Sequence, residues 1–563
     1  MSSEKFLNST DKLRLVIVSN AQPRLVWRLA ERLRNEVSGA GICGIVYVRN
    51  EAKARTSPAG IARAMLRQLG QAFMNLIHAC PTMPNQMAFK EEQLAQQGSA
   101  AGCQVLSVSN LSSIRDFINN CAADLCVVLG DLDVGDRLGQ SFRLGAIVAA
   151  APQRHFENFL NREDEDRAIP IRILRISNGS VQQDAALSTK IPVELYDTTT
   201  SLLLKANVVA MDLAIEATRI ASATLNNADD RPLADCADLL SYLSYWRGRR
   251  HPSPELYSPP SYTRPLWRLC LAQALLLPYV FARNWYRRLR RRFPITILVH
   301  HLVSDVPHRL GMPTDVLCRE IEFLKQHYRI VSLSEAVRLL RSGTVSEPTV
   351  VLTFDDGYQE NFITLRAVLE ATGVPITMFI CTEIVSAQSH FPHDDQHCRH
   401  SDFVSLSWNQ VAHLQAIGAE IGSHTRSHFD CGLPGSGVLE EEIMGSQNDL
   451  ESRLNTPARF FAFPYGKRDN ISPQAIEIAV SSYDYFLSSY SGDNLPEFGF
   501  KQRELMRKGL PHNCWELELT LQSVLDLRVT IKEALQRKRK NLHSLEVNPT
   551  RHSDQQGSLL QQQ

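Results

Sequence analysis

Short apolar runs alternate with stretches of helical periodicity in this chain, and this alternation constrains its fold more than any other feature. LRLVIVSN (13–20) and GICGIVYVRN (41–50) have the length of strands, and apolar side chains recur at helical spacing between them. A continuous apolar run indicates a strand that is buried on both faces, as in a parallel sheet covered by helices. Similar pairs continue to about residue 190, so we predict an α/β fold with a doubly wound parallel sheet.

The same alternation begins again at about Phe293. Residues 229–262 between the two regions are polar and contain several prolines, as is typical of a connection between domains. A chain of 563 residues is also too long for a single core. We therefore predict four parts, namely an α/β domain (1–228), a linker (229–292), a second domain (293–525) and a basic to Gln-rich, disordered tail (526–563).

The balance of charges and the nature of the first residues narrow the classes of function. Lys and Arg together number 60, as do Asp and Glu, so no overall field attracts nucleic acid and we predict no such partner. The first twenty residues lack the sections of a secretory signal, and we therefore expect a cytoplasmic protein. The twelve cysteines contain no CxxC pair, which indicates reduced thiols and no disulfides.

Two adjacent acids follow one of the predicted strands, in TFDDG (353–357). Acids after a strand often cap a helix or form a turn, so this pair alone is a weak sign of function. Further along, EIGSHTRSHFD places His424 and His428 four residues apart, and a helical turn would point both imidazoles the same way. This spacing is found among metal ligands.

Together with RFFAFPYG (459–466), these motifs resemble those of the NodB-type polysaccharide deacetylases, a carbohydrate esterase family. The family's motifs have the forms TFDDG, HS/TxxH and RxxxFxxPxG, in that order. The resemblance covers roughly 293–525 and includes ITILVHHLVSD, which is similar to the family's entry strand. It implies a distorted (β/α) barrel whose strand ends carry the chemistry.

The resemblance also implies a role for each of these acids and histidines. Asp356, His424 and His428 would hold one divalent metal ion, and zinc suits such ligands. Asp355 would act as the general base that takes a proton from the metal-activated water. On this interpretation one of the two adjacent acids binds the metal and the other moves the proton.

Three further catalytic roles follow from the same resemblance. The amide of Tyr465 would face the developing oxyanion, and Arg459 would orient Asp355. The late LxH motif that serves the departing amine in many relatives is not found in this sequence. Relatives that begin with MYH place a histidine of the entry strand there, and His301 aligns with it. A core or helix-capping histidine is the alternative, and the neighbouring His300 leaves the register open.

Residues 388–400 (QSHFPHDDQHCRH) form an insertion between the first two motifs. It contains four histidines, two aspartates and Cys398. These side chains could bind a second metal ion, although irregular spacing in a polar loop is more typical of a solvated insertion.

Residues 265–292 are apolar and aromatic for about four turns and then carry six arginines within ten residues. Arg268 and Pro278 interrupt the apolar run, so we predict no membrane-spanning helix. Two interpretations stay open. The segment is either a linker helix whose apolar face packs on a domain, or a helix that makes peripheral contact with an anionic membrane.

The first domain is similar to the formyltransferase fold of methionyl-tRNA and sugar-nucleotide enzymes, over DLCVVLGDLDVGDRLGQSFRLGAIVAAAP and the residues after it. Val148 and Ala150 stand where the family has its catalytic Asn and His. Val181 stands at the position of its Asp, with Asp184 nearby. Since an alanine cannot shuttle a proton, the resemblance implies a fold without the activity, retained for binding, positioning or oligomerisation.

These features predict a metal-dependent hydrolase that removes an N-acetyl group from an amino sugar of a glycan precursor. A sugar N-deformylase is a second hypothesis, because of the formyltransferase-like neighbour. A third is a non-catalytic binding or scaffold protein, against which the intact acids and histidines argue. The sequence does not indicate an oligomeric state.

Overall fold

A computed structural model gives the structure of the chain over the following residues: 13–49, 89–109, 114–130, 132, 141–150, 156, 160, 168–177, 180–225, 266–394, 403–433, 435–490, 492–495, 503–509 and 514–522. The predicted tail, most of the predicted linker and the second half of the predicted insertion lie outside these ranges.

A seven-stranded sheet organises the first region. Its strands are β1 (Leu13–Ser19), β2 (Ala40–Val48), β3 (Gln104–Val108), β4 (Leu125–Leu129), β5 (Ala146–Ala150), β6 (Ala168–Ser177) and β7 (Ser180–Pro192). They lie in the order β3-β2-β1-β4-β5-β6-β7. The first five are parallel, which confirms the predicted sheet, whereas β6 and β7 are antiparallel additions at one edge.

A closed parallel barrel organises the second region. Its strands are β8 (Ile295–His300), β11 (Arg329–Ile330), β12 (Thr349–Phe354), β13 (Thr377–Ile380), β14 (Glu420–Ser423), β15 (Phe460–Ala462), β16 (Tyr485–Ser488) and β17 (Glu504–Lys508), while β9 (Leu302–Val303) and β10 (Gly311–Met312) form a separate pair. The strand β8 pairs with both β17 and β12 and so closes the ring. One edge of β12 is shared between β11 at its start and β13 at its end, which distorts the barrel. The predicted distorted barrel is confirmed.

Thirteen α-helices lie within the described residues. They are α1 (Pro23–Glu36), α2 (Glu91–Ala100), α3 (Arg115–Cys121), α4 (Thr199–Leu225), α5 (Leu266–Arg290), α6 (Thr314–His327), α7 (Leu333–Ser342), α8 (Thr364–Thr372), α9 (Thr382–Ala387), α10 (Trp408–Ala416), α11 (Ser436–Leu454), α12 (Pro473–Ser482) and α13 (Cys514–Leu521). Within the described residues, no helix is both long and apolar enough to cross a membrane.

The two regions are joined through α4, which packs on β5 and β6 of the sheet and on α8 of the barrel. Asp212 of this helix is buried and accepts hydrogen bonds from Arg32 of the first region (2.7 Å) and Arg366 of the second (3.0 Å). Lys205 of the same helix donates to Asp305 of the barrel region at 2.9 Å. One cluster of buried apolar residues continues from the sheet into the barrel. Because these polar groups satisfy one another inside a shared core, breaking the contact would strand buried charges.

Candidate active site

Asp355 and Asp356 lie at the carboxyl end of β12, in the mouth of the barrel. The amide of Asp355 still donates to the carbonyl of His300, at 2.8 Å, so the strand register is kept up to that residue. Asp356 (φ 72°) and Gly357 (φ 89°) then turn the chain sharply. A Cβ on Gly357 would lie 3.0 Å from Cγ2 of Ile380, so glycine suits both the backbone angle and the space. Both acidic side chains are buried.

The two histidines of the second motif follow β14. His424 begins the loop, and its amide donates to the carbonyl of Ile380 at 3.0 Å. The predicted helical turn between the histidines is not present, because Thr425 (φ 63°) and His428 (φ 61°) have left-handed backbone angles. The loop reverses within five residues and returns the second imidazole to the first. The pair therefore converges through a left-handed loop rather than through helical spacing.

Asp356, His424 and His428 form the cluster that the motifs predict. Oδ1 of Asp356 lies 3.4 Å from Nε2 of His428 and 3.6 Å from Nε2 of His424. One ligand atom from each residue lies within 4.8 Å of the other two. Two ligands about 2.1 Å from a tetrahedral ion would be about 3.4 Å apart. The donor atoms therefore have the types that a zinc-like ion requires, and the two distances from Asp356 to the histidines are close to this value.

The carboxylate of Asp356 is the strongest sign that a cation belongs here. In the described part of the chain neither of its oxygens has a hydrogen-bond partner, although both are buried. Burial and the neighbouring charge of Asp355 raise the pKa of Asp356 well above its ordinary value. A buried carboxylate without a partner is costly, and a bound cation would remove that cost. The residues present fit a divalent metal ion.

The orientation of His424 is fixed by the third motif. Its Nδ1 lies 2.8 Å from the carbonyl oxygen of Ala462, at the end of β15. A carbonyl only accepts, so the proton is assigned to Nδ1 and the lone pair of Nε2 faces Asp356. Burial lowers the pKa of His424, which keeps this imidazole neutral and able to act as a ligand.

Asp355 has the opposite environment from its neighbour. Arg507 of β17 donates from Nη1 to Oδ1 of Asp355 at 2.6 Å, and both side chains are buried. Burial acts to raise the pKa of Asp355, but Arg507 and the nearby imidazoles hold it below its ordinary value. Adjacent acids with opposite pKa shifts are suited to different tasks. Asp355 stays ionised and can accept a proton.

Arg507 takes the place that sequence analysis assigns to Arg459. Arg459 precedes β15 and therefore lies at the amino end of the barrel strands, away from the acids. Its Nε donates to Asp484 at 2.8 Å, and its side chain is 42% exposed. The expectation that Arg459 orients Asp355 is not met by this structure. Arg507 lies in ELMRK (504–508), where three of the five residues are charged, so its charge alone was not a distinctive signal in the sequence.

The structure separates the two adjacent histidines of the entry strand. His300 points into the core, where its Nε2 lies 3.0 Å from a carboxylate oxygen of Glu320. His301 follows the strand and lies close enough to Asp355 and His424 for their charges to affect its pKa. Burial, countered in part by Asp355, lowers the pKa of His301 to about 3. His301 is therefore the member of the pair near the site, and its imidazole is neutral at neutral pH.

Tyr465 lies at the rim of the site. Its ring meets that of His428 edge-on with 4.8 Å between centroids, and its side chain is 49% exposed. Its φ of 59° is left-handed, like those of Asp356, Thr425 and His428. Several residues with costly backbone angles thus surround one cluster, as is common at functional sites.

The first half of the insertion also reaches the site. Nε2 of His393 lies 3.6 Å from Oδ2 of Asp356 and 2.9 Å from the hydroxyl of Tyr358. Tyr358 donates to Asp394 at 2.8 Å, and Nε2 of His308 lies 3.2 Å from the same carboxylate. His393 and Asp394 are therefore neither solvated nor part of a separate site. Cys398 lies outside the described residues.

The carboxyl edge of the first sheet is apolar around Val148. Val148 of β5 is 4% exposed and packs in an apolar cluster with Val128 and Ile176. Only the backbones of Ala150, Val181 and Asp184 are described, in β5 and β7. An apolar side chain thus occupies the position where the resemblance places an Asn.

The barrel region is similar to a known protein family. Residues 342–480 match the family model for polysaccharide deacetylases. YxkH of Bacillus subtilis, which bears the name of a polysaccharide deacetylase, is 22% identical over 185 residues. That alignment covers 32% of this chain and 61% of the relative, so the chain spans less than two thirds of it.

Solved structures match each region separately. IcaB from Ammonifex degensii is 21% identical, with a TM-score of 0.35, and the match covers 41% of this chain and 97% of that one. Phosphoribosylglycinamide formyltransferase from Anaplasma phagocytophilum is 11% identical, with a TM-score of 0.25, over 38% of this chain and 88% of its own.

Proposed function

Because the second region carries a polysaccharide deacetylase domain, we propose that the chain is a metal-dependent amide hydrolase that removes the N-acetyl group of an amino sugar. The observation that carries this proposal is the convergence of Asp356, His424 and His428, with both oxygens of Asp356 buried and without hydrogen-bond partners in the described structure. These residues would hold one divalent ion, for which zinc is our choice. When bound, such an ion polarises the amide carbonyl and lowers the pKa of water.

Asp355 is the proposed general base. Its Oδ1 is engaged by Arg507, and its Oδ2 lies 3.9 Å from Nε2 of His424, on the side of the metal ligands. We assign the proton of the attacking water to Oδ2. The pairing with Arg507 keeps this carboxylate ionised before substrate binds.

The departing amine and the oxyanion need two further groups. His301 is neutral, so in this proposal it accepts the proton that Asp355 has taken from water and passes that proton to the amine nitrogen as the C–N bond breaks. The left-handed turn at Tyr465 would aim its backbone amide at the oxyanion that forms when water attacks the carbonyl carbon. The products are a free amino sugar and acetate.

Metal analysis combined with product analysis tests the proposal. The purified chain should hold about one zinc per molecule and release acetate from N-acetylated amino-sugar oligosaccharides. His424→Ala should lose the metal and the activity, whereas His390→Ala, which removes an exposed histidine outside the cluster, should retain both.

Two results would contradict this function. Acetate release that is unchanged in His424→Ala would show that the cluster does not carry the reaction. Formate released in place of acetate from matched N-formylated substrates would identify a deformylase instead.

A further inference from the structure

The helix α5 turns an apolar face to solvent. Six large side chains on it are between 40% and 79% exposed, namely Leu271, Leu275, Tyr279, Trp285, Tyr286 and Leu289. At 100° per residue these six positions lie within an arc of about 120°. They therefore form one continuous stripe along a helix of 25 residues.

The opposite face of α5 holds the helix on the barrel region, and it is largely polar. Asn284 is buried and donates from Nδ2 to Oε1 of Gln522 at 3.0 Å. Arg283 donates to the backbone carbonyl of Gln522 at 2.8 Å, and Arg287 lies 3.4 Å from a carboxylate oxygen of Asp493. Val280 is also buried on this face. The usual arrangement, in which the apolar face meets the protein, is reversed for the described side chains.

The charge of the helix is of one sign. No Asp or Glu occurs between residues 265 and 292. Arg290 and Arg291 are exposed at the end of the apolar stripe. The segment thus presents apolar and aromatic side chains that lead into a group of cations. A second copy of the helix would bring no acidic residue to these arginines, so self-association through this face would leave them without counter-charges.

We propose that α5 is an interfacial helix, which lies in the plane of an anionic phospholipid surface. Its apolar stripe enters the boundary between headgroups and acyl chains, and its terminal arginines meet lipid phosphates. Trp285, Tyr279 and Tyr286 suit this boundary, because each has an apolar ring and a polar tip. The helix does not have to cross the bilayer, and the inference is independent of the proposed enzymatic function.

Vesicle sedimentation with the full chain tests this inference. The probes are vesicles of phosphatidylcholine alone and of equal parts phosphatidylcholine and phosphatidylglycerol, at low and high salt. We expect most of the protein to sediment with the anionic vesicles at low salt and little with the neutral ones. Each of Arg290→Gln and Arg291→Gln should weaken the binding about five-fold.

The apolar contribution is tested by Leu275→Ser combined with Leu289→Ser, which should abolish sedimentation with anionic vesicles. Leu195→Ser is the matched control, since Leu195 is also an exposed leucine but lies in the first region, away from α5, and its replacement should leave the binding unchanged. Both variants alter solvent-exposed positions, and thermal unfolding would check that they fold. Hydrogen exchange gives a second measurement, in which vesicles should protect residues 271–290.

Three outcomes would overturn the inference. The protein could stay in the supernatant with both vesicles, or bind neutral and anionic vesicles equally at all salt concentrations. Finally, the protein could form a dimer in the absence of lipid, and the Leu275→Ser and Leu289→Ser substitutions could dissociate that dimer. This result would show that the apolar stripe binds a second copy of the chain.

Discussion

Both regions of this molecule contain parallel strands, and the side chains at the carboxyl ends of these strands differ between the two regions. At the carboxyl ends of the barrel strands stand buried charges, including Asp355, Asp356 and Arg507. At the corresponding edge of the first sheet, Val148 packs among apolar side chains. Both folds place ligands at such edges, so topology offers a position for chemistry, and the side chains at that position decide whether chemistry occurs.

The largest change in activity is expected from one of two matched substitutions, one at each of these strand ends. Asp355→Asn should retain the metal and lower kcat by about 10²–10⁴-fold, because the general base is lost. Asp184→Asn in the first sheet should leave deacetylation unchanged, and the wild-type chain should transfer no formyl group from a folate donor. Acetate release, metal content and a formyl-transfer assay measure these outcomes. If the wild-type chain transferred a formyl group and Asp184→Asn abolished that transfer, the first sheet would also carry an active site, which would contradict this prediction.

The buried contact between the two regions at Asp212 allows a test of whether the regions are stable independently of each other. Asp212→Asn leaves the buried guanidinium groups of Arg32 and Arg366 without their shared carboxylate. We expect a loss of about 3–5 kcal/mol in the free energy of unfolding. Glu31→Gln removes a partly exposed pair with Arg28 and should cost at most about 1 kcal/mol. Denaturant unfolding measures both, and an unchanged midpoint for Asp212→Asn would show that the regions are stable separately.

Arg507 and Arg459 provide a comparison within the barrel. Arg507→Gln leaves Asp355 buried without its cation, and it should lower kcat by at least about tenfold and reduce the free energy of unfolding. Arg459→Gln removes an exposed contact with Asp484 and should change stability by less than about 1 kcal/mol. Kinetics and thermal unfolding of the two variants would decide which arginine supports the base. A larger kinetic defect in Arg459→Gln would contradict the assignment.

A smaller effect is expected in the pH dependence of the free energy of unfolding, through a histidine in the core that the two regions share. Burial, followed by the charges of Arg366 and Arg32, lowers the pKa of His413 to about 2. The unfolded chain therefore binds a proton at this histidine below about pH 6.5 that the folded chain does not bind. Stability should fall on acidification by up to about 1.4 kcal/mol per pH unit from this group. His413→Gln should flatten the pH dependence of unfolding between pH 6.5 and 5, and an unchanged slope would exclude this effect.

The sequence predicted what depends on local pattern. Apolar runs of strand length located the parallel strands in both regions, and the motif residues Asp356, His424 and His428 converge as expected. Such predictions succeed because each pattern is satisfied by burial within one element or at its end. The antiparallel pair β6 and β7 was missed, since strand direction depends on connections rather than on composition.

The remaining differences arise from tertiary contacts. Arg507 lies on the last barrel strand outside any motif, and only closure of the ring through β8 brings it to Asp355. The left-handed turn at His428 cannot be read from a four-residue spacing, because helix and loop share that spacing. The amphipathic pattern of 265–292 was recognised, but it could not show that the polar face meets the barrel. That choice is made by Gln522 and Asp493, far along the chain.

The position of α5 also sets a distance. The helix ends at Arg290, four residues separate it from the first residue of β8, and His301 directly follows the last residue of that strand. This strand has six residues, and six residues of parallel strand rise about 20 Å. The end of α5 and the mouth of the barrel that contains Asp355 thus lie at opposite ends of this strand. A substrate tethered to a bilayer at α5 would have to extend across this height, so a short tethered glycan would not reach the acids at the mouth of the barrel.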